Sequence, residues 1–194
     1  DILYDQNGKW NLAIRRTLEA IYQNYTGDRE SQDFKNFEVY LKRVWFSNGI
    51  HHHYGCDKFV PEFSQEFFTE AVKSLDPKTL PLTTGASVDD LLNTLTPVIF
   101  DSSVMPKRVN QAAGEDLIVT SAGNYYDGVT QAEAEAFYNK MKNPKDETPI
   151  SYGLNSRLVK RDGKIVEETY KVGGLYTEAI EKIVYWLEKA AGVA

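Results

Sequence analysis

The sequence predicts an α+β fold that is mostly helical: about six helices and a small antiparallel sheet or partial barrel, including a hairpin at 154–172. Three observations predict it. Apolar residues recur at helical spacing in six stretches, most of them bounded by a capping residue, a glycine or a proline. Asp162-Gly163 sits between two runs of strand-forming residues, and this dipeptide suits the two positive-φ positions of a type I′ turn. No internal repeat, low-complexity segment or break in composition divides residues 1–194, so the chain reads as a single domain.

Residues 1–9 read as an irregular lead-in with a turn signal at Asn7-Gly8. A helix over about 10–25 follows, with Ile14, Leu18, Ile21, Tyr22 and Tyr25 on one face. The next helix is expected to be capped by Asp33, to bury Phe34, Phe37, Leu41, Val44 and Trp45, and to stop at Asn48-Gly49 with glycine left-handed. Ser64 caps a third helix, with Phe63 and Phe68 as a hydrophobic staple. Ser87 caps a fourth, which Pro97 kinks or ends. Leu117 to Ser121 reads as a short strand, because it contains Ile118, Val119 and Thr120. Thr130 and Glu133 form a capping box that opens a fifth helix, which ends before Asn143-Pro144.

Folding about Asp162-Gly163 pairs Arg161 with Lys164, Val159 with Val166 and Arg157 with Glu168. The last helix carries Ile180, Ile183, Val184, Leu187 and Ala191 on one stripe expected to dock beside the sheet, with Gly192 as its stop. Trp45 and Trp186 are expected in the core.

Composition narrows the function. A hydrophobic share of 42% indicates a real core, and a net charge of −6 argues against a nucleic-acid partner. No apolar run approaches the roughly 20 residues of a membrane span. The single Cys56 excludes an internal disulfide and points to a reducing, cytoplasmic setting, or a periplasmic one if a leader has been removed.

His51, His52 and His53 are all the histidines of the chain, so no distant imidazole can complete a metal site with them. They read as a polar linker and not as ligands. Cys56 and His53 lie on one loop, whereas a nucleophile and its base normally come from separate elements, so Cys56 reads as a structural thiol. Asn124, Tyr125 and Tyr126 offer amide and phenol groups to a peptide backbone, but read first as turn residues and packed rings. The loop from Asn48 to Tyr54 reads first as an ordinary solvated loop and second as a contact surface: Asn48, His52 and Tyr54 are expected on it, exposed and rich in hydrogen-bonding groups. With Asn124 they make up the candidate substrate-binding set. No residue is assigned as catalytic or metal-binding.

The strand NSRLVK, the glycine-turned return strand and the helix YTEAIEKIVYWLEKA resemble the dipeptidyl peptidase III family, the zinc exopeptidases of peptidase family M49. The similarity continues upstream through FEVYLKRVWFSNGIHHHYGCDKFVP and LIVTSAGNYYDGVTQAEAEAF and covers most of residues 34–191. The family's zinc motif begins His-Glu and ends Gly-His, and these residues do not contain it. The resemblance therefore implies the N-terminal, non-zinc lobe of an enzyme that releases dipeptides from the N-termini of short peptides. It implies a wall of the substrate cleft with no catalytic group of its own. The implied partners are a peptide substrate and the zinc-binding lobe, and zinc is the implied cofactor of the parent enzyme only. A stand-alone peptide-binding or interaction module is the alternative.

Overall fold

The structure, a computed structural model, describes residues 8–193. The expected lead-in over 1–7 and its Asn7 lie outside the described residues. The fold is α+β and mostly helical, and the chain forms two compact units, Asp1–Gly123 and Asn124–Ala194.

The first unit is built on α1 (Asn11–Asn24), α2 (Gln32–Ser47), α3 (Gln65–Lys73) and α4 (Val88–Phe100), with a 3-10 turn at Pro77–Thr79. Each helix buries one stripe. Ile14, Leu18 and Ile21 of α1 meet Phe37, Leu41 and Val44 of α2, Phe68 and Val72 of α3, and Leu95 and Ile99 of α4 in one core. Phe63 is the aromatic hub of that core. Its ring centroid lies 5.7 Å from Phe37, 5.4 Å from Tyr40, 6.5 Å from Phe68 and 5.4 Å from Phe100. The contact with Phe68 is the expected staple.

Several caps fall where the sequence places them and one does not. Ser64 Oγ accepts from the Phe67 amide, and Ser87 with Asp90 forms a full capping box. The cap of α2 is Ser31 and not Asp33: Ser31 Oγ accepts from the Phe34 amide. The Asp33 carboxylate is taken instead by the amide (2.8 Å) and hydroxyl (3.0 Å) of Ser64, so it joins the start of α2 to the start of α3. At the other end of α2, Asn48 rather than Gly49 takes the left-handed conformation, at φ 57°. Pro97 does not end α4, which runs on to Phe100.

Residues 117–121 are a turn and not a strand. Asp116 Oδ1 accepts from the amides of Ile118 (3.0 Å) and Val119 (2.9 Å), and its carbonyl accepts from Thr120. A local carboxylate cap outcompetes the β-preference of Ile118, Val119 and Thr120.

In the second unit, β2 (Ser156–Arg161) and β3 (Lys164–Thr169) form the hairpin in the expected register, with Arg157 opposite Glu168, Val159 opposite Val166 and Arg161 opposite Lys164. Asp162 (φ 48°) and Gly163 (φ 74°) supply the turn. Arg157 bonds Glu168 at 2.6 Å. The third strand is β1 (Tyr126–Asp127), which pairs parallel to β2, so the three-stranded sheet is mixed and open, in the order β1-β2-β3. Leu158 and Val159 of the central strand are fully buried. The α5 helix (Gln131–Asn139) opens with the expected Thr130–Glu133 box. Lys160, then the Thr130 amide, pull the Glu133 carboxyl down to about 2.

The last helix, α6 (Thr177–Val193), forms as the periodicity predicts and continues through Gly192, but none of its residues is buried. Trp186 is 67% exposed, which corrects its assignment to the core. Trp45 is corrected as well. It is 39% exposed and packs on α1 from the side, with Nε1 donating to Glu19 at 2.9 Å and its ring edge-on to Tyr22.

Tyr40 is wholly buried, its hydroxyl has no hydrogen-bond partner among the described residues, and burial pushes its phenol well above the ordinary tyrosine value. Removing an unpaired buried hydroxyl removes its desolvation cost. Tyr40→Phe should therefore leave stability unchanged or raise it by up to about 1 kcal/mol in urea unfolding. A loss larger than that would show that the hydroxyl is paired.

Candidate functional site

The site is a loop that doubles back on itself after α2. Asn48 turns the chain, and Ile50 then enters the core, its amide donating to Asn11 Oδ1 at 3.2 Å. His51 bridges Lys58 in antiparallel fashion, and Phe59 N donates to Ile50 O at 2.8 Å. Cys56, at φ 64°, makes the reversal, with its amide donating to His52 O at 3.0 Å. The returning arm is held in turn by residues 106–108: Lys58 N donates to Pro106 O and Arg108 N to Cys56 O.

Lys58 fastens this loop to the helical core. Its ammonium donates to three carbonyls at and beyond the end of α4: Val98 at 3.0 Å, Val104 at 2.6 Å, and Asp101. An ammonium has three N–H donors, so all are used. The position also sets a cation at the negative end of the helix dipole. Burial lowers its pKa, and the Asp101 carboxylate opposes the shift.

The three histidines separate. His51 is 1% exposed and belongs to the core, unlike its two neighbours. Its Nε2 lies 2.9 Å from Met105 O, and since a carbonyl only accepts, Nε2 carries the proton. Burial lowers its pKa, opposed chiefly by that carbonyl and reinforced by the charges of Lys58 and Arg108. His52 is exposed, and its Nδ1 accepts from the amides of Tyr54 (3.2 Å) and Gly55 (3.0 Å), so the imidazole itself caps the turn. His53 stacks on His52 at 4.8 Å, contacts Ser47 Oγ through Nδ1 at 3.3 Å, and meets the rings of Phe46 (5.0 Å) and Tyr54 (4.3 Å). Tyr54 is 85% exposed at the tip.

These rings border an open groove of about 430 Å³ lined by Val39, Lys42, Arg43 and Phe46 of α2, by Ser47, His52 and His53, and by Phe59. Of the predicted substrate-binding set, His52 lines the groove, Tyr54 extends its aromatic rim through His53, and Asn48 is the half-buried cap that turns the chain toward it. Asn124 belongs to the second unit, where it is half-buried. The groove residues of α2 were missed. Their signal is a second stripe, Val39, Lys42, Arg43 and Phe46, spaced three, four and seven apart on the flank away from the core stripe.

Cys56 and His53 are not a nucleophile and base. The half-buried thiol sits 3.3 Å from an Arg108 guanidinium nitrogen and 3.7 Å from Tyr54 O, while His53 turns to Ser47. His51 Nε2 is held by a carbonyl, and the Nδ1 atoms of His52 and His53 have backbone and hydroxyl partners. Among the described residues, no three His, Cys, Asp or Glu side chains converge. Also among the described residues, no helix is long and apolar enough to cross a membrane. No protein-family model matches the chain, and no curated protein gives a significant match.

Lys58→Met keeps the stem but leaves three carbonyls without their donor. It should cost about 2–3 kcal/mol in urea unfolding with an unchanged denaturant slope. A change under about 0.5 kcal/mol would show that the ammonium is dispensable.

His51 also sets a pH dependence. The folded imidazole resists protonation while the unfolded one, near 6.5, accepts it, so the unfolded state binds more protons below that pH. Stability should fall as pH drops from about 6.5 through the lower folded value, and His51→Gln should flatten that part of the profile relative to the parent. Parallel profiles for the two proteins between about pH 5 and 6.5 would refute the assignment.

Proposed function

We propose that this chain forms one lobe of an M49-type dipeptidyl peptidase and supplies a non-catalytic wall of its peptide cleft. The observation that carries the reading is the turn at His52, His53 and Tyr54: a cluster of rings on a loop fastened to the helical core beside an open groove. The extended resemblance across residues 34–191 supplies the family. The uncovered apolar stripe of α6 supports a large partner surface elsewhere on the chain, since exposed apolar faces of that kind mark interaction sites. In this reading the residues of the chain bind and orient peptide and exclude water as the cleft closes, while zinc, held by the other lobe, supplies the activated water. No bond-making step is assigned to this chain.

One observation favours the stand-alone peptide-binding module as a second reading: the groove lies wholly within the first unit.

The test is His52→Ala and Tyr54→Phe in the full-length protein from the source gene, assayed with zinc on a dipeptidyl-arylamide. Each should lower kcat/KM several-fold at unchanged thermal stability, since about 1.4 kcal/mol of lost contact is tenfold. Full activity in both variants would remove the turn from the cleft. A full-length protein with no dipeptide-releasing activity would defeat the enzyme reading and leave the binding module.

A further inference from the structure

The groove beside α2 carries a charge opposite to that of the chain. The protein has a net charge of −6, yet every ionisable side chain lining the groove is a cation or an imidazole: Lys42, Arg43, His52 and His53. The remaining surface is chiefly Val39, Phe46 and Phe59. Phe46 is 76% exposed although the opposite face of its helix is core. A large ring held in water beside two cations has no role in holding the helices together.

Lys42 is paired with Glu38 at 3.2 Å and Arg43 with Glu62 at 3.4 Å, but neither acid lines the groove. The cations are about half exposed, and exposed pairs of this kind are weak, so each can exchange its partner for a ligand carboxylate. A volume of about 430 Å³ admits one large side chain with a short stretch of backbone.

The geometry points to a docking groove for an acidic peptide segment. One apolar side chain, of phenylalanine or leucine size, seats against Phe46, Phe59 and His52, and carboxylates on the neighbouring residues are taken by Lys42 and Arg43. The choice of a peptide as occupant rests on the proposed cleft function, whereas the demand for acidic flanks comes from the lining alone. A nucleic-acid strand fits less well, because only two fixed cations face it and the rest of the chain repels a long polyanion.

Calorimetric titration of the chain with three capped peptides tests this: acetyl-Gly-Glu-Phe-Glu-Gly-amide, its Gln-Phe-Gln counterpart, and its Glu-Gly-Glu counterpart. The first should bind, the second about tenfold more weakly, and the third undetectably. High salt should erase the advantage of the first over the second. The surface double variant Lys42→Gln/Arg43→Gln should lower affinity for the acidic peptide to that of the Gln-Phe-Gln peptide and leave the latter unchanged. Phe46→Ser should abolish both. Equal affinity for the acidic and amide peptides, both lost in Phe46→Ser, would overturn the acidic specificity while sparing the cleft-wall reading. Binding of none of the three would overturn the groove itself, and the kinetics of the full-length His52 and Tyr54 variants would still judge the wall separately. Tighter binding of an oligothymidylate than of the acidic peptide would also overturn it.

Discussion

The Lys58 ammonium bonded to the carbonyls of Val98, Asp101 and Val104 is the contact on which the site depends. The loop from Asn48 to Phe59 is bridged within itself at His51 to Lys58 and to the neighbouring segment at Asp57 to Lys107, a backbone ladder too short to be stable alone. Lys58 converts it into an extension of the helical core. The same contact satisfies the Val98 carbonyl, which the end of α4 leaves without an intrahelical partner. With Ile50 and His51 buried on the inner side, His52 and Tyr54 are left exposed and His53 half-buried. The three bonds of this half-buried cation go to carbonyls, and the Asp101 carboxylate adds a favourable charge.

How legible this was from sequence depended on whether the deciding interaction was local. The hairpin register followed from Asp162-Gly163 because a two-residue turn leaves one pairing, and alternation of apolar residues agrees with it. The cap at Ser87 and the box at Thr130–Glu133 were readable for the same reason. Asp33 was misread because it has helix-capping chemistry, and its true partner, Ser64, lies 31 residues away. The run at 117–121 was misread in the opposite direction. Its β-branched residues were weighed, and the capping power of Asp116 just before them was not.

Burial inside the site was less legible still. Three adjacent histidines look alike in sequence, and only the long-range placement of Met105 and Lys58 tells that His51 belongs to the core. The groove needed a second reading of α2. A helix can carry two stripes, one for its own core and one for something else, and the first masks the second because it is stronger. Phe46 was visible as an apolar residue off the core stripe of α2, but a lone exposed phenylalanine carries no message until Phe59, His52 and His53 arrive beside it from the returning loop.

The contrast between α2 and α6 shows where periodicity stops being informative. Both helices have a clear apolar face, and the face of α2 is buried while that of α6 is not. Periodicity states that a face is suited to burial and is silent on what covers it. For α2 the cover is encoded nearby, by Phe63 and its aromatic neighbours. For α6 no described residue supplies it, and a helix of 17 residues gains little stability in water from its own hydrogen bonds. The groove of α2 differs from both, because Phe46 and Phe59 are already packed edge to face on the stacked imidazoles of His53 and His52. A ligand arriving there still has to order Lys42 and Arg43 but meets rings that already pack on their imidazole neighbours, which lowers the ordering cost and lets a shallow, open groove select its occupant.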